Sequence, residues 1–387
     1  MFSQRTHWSQ THNALTLAVA ARRAAGLPIL DLTATNPTQV DLPLPMDDVA
    51  LALFQGTTGI YDPQPFGLLE ARQAVAAYHQ GKVPAEHIVL TASTSEAYGL
   101  LFKLLCDPGD RVLVPAPSYP LFEYLAVLES VQPVPYPSRL ANGEWHIDLE
   151  ALRDMLDERT RAILLVSPNN PTGAVVHSEE VLELAQLCQE RGMALVCDEV
   201  FADTIAAGLY GRMASLAGLT TCLTFVLSGL SKVCLLPQLK LGWMAASGPA
   251  ELLAQALARL EILADTYLSV ATPVQRALPR LLDLRHGIQA TLAQRLATNR
   301  RVLQAALVGT TATLLPADGG WSAVLRIPRT KSEEEWTLAL LEQDGVLVHP
   351  GWFFDFATEA WLILSLLPPQ PEFAQGVERL AARLADV

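Results

Sequence analysis

From residue 87 onward the chain alternates short apolar runs with longer stretches whose apolar positions recur at helical spacing. The runs are HIVLTAS, RVLVPAP, RAILLVSP, MALVCDE, CLTFVLSG and LGWMAAS, and their apolar residues are mostly consecutive rather than alternating with polar ones. Such runs predict strands covered on both faces, as in the mainly parallel sheet of an α/β domain. Between them, SEEVLELAQLCQERG shows the helical period and ends on a glycine stop. Past about residue 270 the pattern changes to a long helical stretch, PVQRALPRLLDLRHGIQATLAQRLATNRRVLQAAL, followed by the strand-like WSAVLRIP and AWLILSLL. These predict a smaller α+β domain. We expect a large domain over residues 46–270 and a small one built from both termini, residues 1–45 and 271–387.

Composition narrows the function classes. Half of the 387 residues are hydrophobic and 17% are charged, which suits a large core and argues against global disorder. The formal net charge of −13, with no basic stripe interleaved with aromatics, argues against a nucleic-acid partner. Five cysteines are scattered without metal-ligand spacing and read as reduced thiols of a cytoplasmic protein. No metal site is expected. The N-terminal stretch reads as an amphipathic helix rather than a signal peptide, and no apolar run reaches the roughly 18 residues of a membrane span.

In open α/β sheets, ligands bind outside the carboxyl ends of the strands. The polar residues that follow each run are therefore the candidates. After HIVLTA come Ser93, Thr94, Ser95 and Glu96. Ser93 with Glu96 fits a capping box, and the helix start would offer free N–H groups to a phosphate. Tyr119 follows RVLVPAP, Asn170 lies in the turn SPNNPTG, and Asp198 ends MALVCD. Lys232 sits in a tight polar turn after CLTFVL, an unusual place for an ammonium that loses hydration on burial. One ligand accounts for all five places. Pyridoxal 5'-phosphate needs a phosphate cradle, an aromatic face, a carboxylate for its pyridine nitrogen, a donor for its phenolate oxygen and an amine for its aldehyde.

With these residues in place, the chain resembles the class I and II aminotransferases, pyridoxal-phosphate enzymes of fold-type I. The resemblance runs through LDLTATNPT, YDPQPFG, STSEA, PAPSYP, NNPTG, DEVF, SGLSK and HPGWFFDF. It implies a large domain with a mainly parallel sheet of the seven-stranded type, flanked by helices. It also implies that Lys232 binds the aldehyde and acts as general base, that Asp198 holds the pyridine nitrogen and Asn170 the phenolate oxygen, and that Tyr119 stacks on the ring. Ser93, Thr94, Ser95, Ser228, Ser231 and Lys240 would surround the phosphate. Tyr61 would reach a neighbouring subunit's phosphate, so a homodimer with shared sites is expected. The implied reaction is ping-pong amino transfer through pyridoxamine phosphate, on an amino acid or related amine. The alternative is elimination, replacement or cyclising dehydration on the same cofactor.

Three positions depart from the family's pattern. Lys240 stands where an arginine usually grips the phosphate, and a lysine lacks the bidentate geometry. Phe201 replaces a tyrosine that would share the phenolate oxygen with Asn170. Ile363, in ILSLL, takes the place of the arginine that binds the substrate carboxylate. Arg326 and Arg5 are candidates to substitute for it. No GxGxxG follows any strand, which disfavours a dinucleotide-binding protein.

Overall fold

The computed structural model describes residues 1–385. Eight strands form the large sheet: β1 (Ile88–Thr91), β2 (Arg111–Ala116), β3 (Gln132–Ala141), β4 (Glu144–Ile147), β5 (Thr160–Val166), β6 (Ala194–Asp198), β7 (Thr224–Gly229) and β8 (Gly242–Ser247). Their spatial order is β1-β8-β7-β6-β5-β2-β3-β4. The four pairings from β7 to β3 are parallel, whereas β8 runs antiparallel to both β1 and β7. The sheet is therefore mixed, with a parallel centre.

Consecutive apolar residues in these strands divide between two cores. Ile163, Leu165, Leu195, Cys197 and Val226 face one side, and Ala162, Leu164, Val196, Phe225 and Leu227 face the other. Both faces are covered, as the run pattern requires. Strand β3 lay outside the apolar pattern because prolines alternate along it, at Pro133, Pro135 and Pro137. That half of β3 pairs only with β2, while β4 pairs with Ser138–Ala141, so three missing N–H groups on one edge cost no ladder bond. The β3–β4 hairpin supplies the strand beyond the expected seven.

A second sheet has the order β9-β10-β12-β11, from β9 (Thr313–Leu314), β10 (Ser322–Arg326), β11 (His349–Pro350) and β12 (Trp361–Ser365). Leu32 from the N-terminal segment joins its core with Leu325, Leu362, Leu364 and Phe373. Helix Thr272–Ala306 serves both cores: Leu278, Leu281 and Leu292 pack in the first, and Leu303 packs under the second sheet. Ile363 belongs to a smaller cluster with Leu315, Val324, Phe354 and Trp361, against which Leu140 and Trp145 of the β3–β4 hairpin pack. Among the described residues, no helix is long and apolar enough to cross a membrane.

Strands β7 and β8 approach through a glycine pair. Gly229 is opposite Gly242 in the register, and a Cβ on Gly229 would lie 2.9 Å from Gly242 Cα and 3.0 Å from the Leu241 carbonyl oxygen. These are backbone atoms and cannot swing aside. Gly229→Ala should therefore destabilise the protein by roughly 1–3 kcal/mol through overpacking. Gly287→Ala, on the long helix with open space around its would-be Cβ, should stabilise it by up to about 1 kcal/mol. Thermal melts of the two variants should move in opposite directions; a Gly229→Ala melt equal to wild type would show that the strands have room to part.

Candidate active site

A cavity of about 290 Å³ opens at the carboxyl ends of β5, β6 and β7. Its wall includes Ser93, Thr94, Ser95, Tyr119, Asn170, Asp198, Phe201, Ser231, Lys232 and Lys240. Ten of the twelve residues singled out from sequence thus converge on one space, although they come from five separate stretches of chain.

The anion-binding end is built by helix α1 (Thr94–Leu105). Ser93 Oγ accepts from the Glu96 N–H at 3.2 Å, which starts the helix and leaves the Thr94 and Ser95 N–H groups without a protein acceptor. The reciprocal half of the capping box is displaced by one residue: Glu96 Oε2 accepts from the Ala92 N–H at 2.6 Å and from Ser269 Oγ at 2.7 Å. Gly242 lets β8 lie directly against this helix start, because a Cβ there would be 3.1 Å from Thr94 N. Lys240 adds positive charge, on a backbone with φ of +50°.

Asp198 is half-buried, facing the cavity from the end of β6. Its carboxylate accepts from the Val200 N–H at 3.1 Å and the Tyr98 hydroxyl at 3.3 Å. Burial nevertheless raises its pKa to about 6, against the pull of these donors and of the Lys232 ammonium. Burial likewise lowers the pKa of Lys232, and Asp198 opposes that shift. Lys232 Nζ makes no hydrogen bond within the described residues, and neither does the Asn170 side chain. The preceding Asn169 is the structural one of the pair, accepting from Thr172 N at 3.2 Å and donating to the Pro117 carbonyl at 3.2 Å.

Two expected residues lie elsewhere. Ser228 is fully buried and faces a separate cavity with Tyr78, Asp203 and Arg285. Successive side chains of a strand point to opposite faces, and Ser228 falls on the side of Val226 rather than that of Leu227. Tyr61 is 72% exposed and lies on an outer cleft with Tyr267. Neither proposed substitute for the missing arginine reaches the cavity: Arg5 donates to the Leu128 carbonyl at 2.9 Å, and Arg326 is exposed at the end of β10. Among the described residues, the lysines and arginines lining the cavity are Lys232 and Lys240. The wall also contains Thr35, Phe122 and Trp321, which sequence reasoning did not single out. A turn through Gly319 and Gly320 immediately before a strand was the available signal for Trp321.

Glu144, His146 and His177 also cluster, with ligand-type atoms within 4.8 Å of one another. The Arg212 guanidinium is already among them, at 3.3 Å from Glu144 and 2.6 Å from His177 Nδ1. A bound dication would be repelled there.

The sequence profile of the family described as aminotransferase class I and II matches residues 28–380. The chain belongs to that family. It is a transferase. An alanine aminotransferase of Mycobacterium tuberculosis is 31% identical over 386 residues, covering 93% of this chain and 87% of the relative. A glutamate-pyruvate aminotransferase of Haemophilus influenzae is 26% identical over 379 residues, covering 93% of this chain and 92% of the relative. An alanine aminotransferase structure from Pyrococcus furiosus shares the fold, with a TM-score of 0.88 at 24% identity and complete coverage of both chains. A Thermus thermophilus aspartate aminotransferase mutant matches with a TM-score of 0.84 at 25% identity, over 99% of each chain. Other aminotransferases thus share the fold of this chain.

The raised pKa of Asp198 has a consequence for the stability of this aminotransferase. The native state holds this proton more tightly than the unfolded chain, so stability falls as pH rises between the usual 3.8 and about 6. Below that window the carboxyl is neutral in both states and costs nothing. Asp198→Asn should melt above wild type at pH 8, with the gap closing near pH 4. A gap that is constant across this range would mean that the Asp198 charge is already compensated.

Proposed function

We propose that this protein is a pyridoxal-5'-phosphate-dependent aminotransferase acting on an amino acid or related amine by a ping-pong exchange. The observation that carries the proposal is the convergence on one cavity of an amine, a carboxylate and a helix start with free N–H groups. The donor set suits the cofactor at each of its polar groups. Thr94 and Ser95, with Ser93, Ser231 and Lys240, would hold its phosphate at the helix start. Asp198 would face the pyridine nitrogen, and the unpartnered Asn170 amide would donate to the phenolate oxygen. When bound, the cofactor supplies an electron sink for the bond broken at the substrate's α-carbon. Lys232 would anchor the aldehyde and later move the substrate's α-proton. Tyr119 offers an aromatic face at the mouth.

The exposed Tyr61 fits a site completed in a homodimer, where it would meet the neighbour's phosphate rather than its own. The five cysteines are free, which supports a reducing, cytoplasmic setting. The two curated relatives act, by name, on alanine or on the glutamate–pyruvate pair, so small amino and oxo acids are the first substrates to test. With Ile363 buried in an apolar cluster, and Lys240 and Lys232 given to the phosphate and the aldehyde, a cation for the substrate's α-carboxylate would have to come from the second subunit.

Purified protein given pyridoxal phosphate should turn yellow, and borohydride should fix the cofactor's mass on the peptide containing Lys232. Lys232→Ala should still bind the cofactor but lose turnover by at least 10²–10⁴-fold, the typical contribution of a general base, roughly. Labelling at Lys240 instead would reverse the two lysine assignments.

Loss of a bidentate partner should also weaken carboxylate binding. Half-reactions with aspartate and glutamate, followed by the change in cofactor absorbance, should be slow. Fast reaction with many amino acids would show that the carboxylate is gripped after all. Release of ammonia together with an oxo acid that has lost its side-chain leaving group would point to elimination.

A further inference from the structure

Trp321 immediately precedes β10, is 3% exposed, and lines the cavity. Lys232 Nζ lies over its ring, 4.9 Å from the centroid. Phe201 meets the same ring at a steep angle, with centroids 4.9 Å apart and planes at 75°. The indole is thus held between the residue after Val200 and the amine that the cavity is built around.

Its position is fixed by the backbone before it. The Asp318 and Gly319 N–H groups both donate to the Gly173 carbonyl, at 3.0 and 2.9 Å, and the Gly320 N–H donates to Thr204 Oγ1 at 2.7 Å. The Asp318 carboxylate accepts from Val175 N–H at 3.0 Å and from Arg212 Nε at 3.0 Å. Gly173, with φ of +71°, has no room for a Cβ, which would lie 2.4 Å from the Gly319 carbonyl oxygen. The turn that carries Asn170 and the turn that follows Phe201 therefore clamp the loop that aims the indole.

We propose that Trp321 is the positioning residue for Lys232: its π-face holds the amine as a cation and keeps it facing the cavity. The reason is electrostatic. The ammonium has lost hydration and makes no hydrogen bond, and Asp198 attracts it only through space. The negative face of an indole attracts a cation more strongly than that of any other side chain, and the attraction grows when water is excluded. The proposal deepens the reading above, because it assigns the group that sets the charge of the amine meant to meet the aldehyde.

The test uses full-length protein freed of pyridoxal phosphate. Acetic anhydride labels uncharged amines, so the labelling of the Lys232 peptide against pH, read by mass spectrometry, gives the lysine's titration midpoint. In Trp321→Leu that midpoint should fall by roughly one pH unit, and in Trp321→Phe by less. A merely structural role predicts the reverse, since a loosened pocket admits water and relieves the burial that lowers this lysine. Labelling of the exposed Lys240 peptide reports that the reagent reaches the cavity in each variant. An unchanged or raised midpoint in either folded variant overturns the proposal, and the Phe variant decides alone if the Leu variant does not fold. Failure of the cofactor reading is distinguishable: pyridoxal phosphate would then give no Lys232-bound absorbance in wild type, whatever the midpoints do.

Discussion

A lysine ammonium loses hydration when a strand end carries it beneath the surface, and the chain around Lys232 offsets that loss from several directions. Asp198 provides an opposite charge, and Trp321 provides an aromatic face. Each is itself held by other parts of the fold. The carboxylate is fixed by the Val200 N–H and the Tyr98 hydroxyl, and the indole by a loop bonded to Gly173 and Thr204. Burial still prevails in both directions, leaving the lysine below its usual pKa and the aspartate above its own. A pair in that condition is poised to exchange protons with a ligand, rather than to lock into a salt bridge.

The sheet makes this possible by closeness. Gly229 and Gly242 bring β7 and β8 together without side chains between them, and Gly242 brings β8 against the start of α1. The free N–H groups of Thr94 and Ser95 therefore open onto the same space as the strand ends. A Cβ at either glycine would separate the helix start from the strand that ends beside the lysine. The cradle and the amine are consequently parts of one packing arrangement, although Ser93 and Lys232 are far apart in the chain.

Much of this was legible in the sequence because the relevant signals are local. Runs of consecutive apolar residues mark strands buried on both faces, and the polar residue that ends each run must lie at the sheet's edge. Lys232, Asp198, Asn170 and the Ser93–Ser95 segment all followed from that rule. Ser228 did not, because the face a residue takes in its last strand turn depends on the strand register, which no local pattern sets. The β3–β4 hairpin was hidden by prolines that are tolerated only where one edge is left unpaired. Trp321 was hidden for another reason: its meaning comes from Phe201 and Lys232, which the chain brings to it from more than 80 residues away.

Ile363 shows how a departure at one position is absorbed by its surroundings. Its neighbours are Leu315, Val324, Phe354 and Trp361, with Leu140 and Trp145 closing the cluster from the large sheet. Ile363 is 2% exposed, and its register partners on the flanking strands are Val324 and His349. Burial also drives the His349 pKa down to about 4, so at neutral pH this neighbour brings no charge. A guanidinium set among these groups would lose its hydration and find no carboxylate in compensation. The isoleucine is therefore part of a consistent apolar surface that joins the two sheets. On the reading proposed here, the positive charge available to anions is concentrated at the start of α1 and on Lys240, the places claimed by the cofactor phosphate. The remainder of the cavity wall carries Tyr119, Phe122, Phe201 and Trp321 beside Val166, Val200 and Leu241, with Thr35, Asn170 and Asp198 as polar groups. Selection among substrates in this chain then rests more on the shape and apolar character of what enters than on a paired charge.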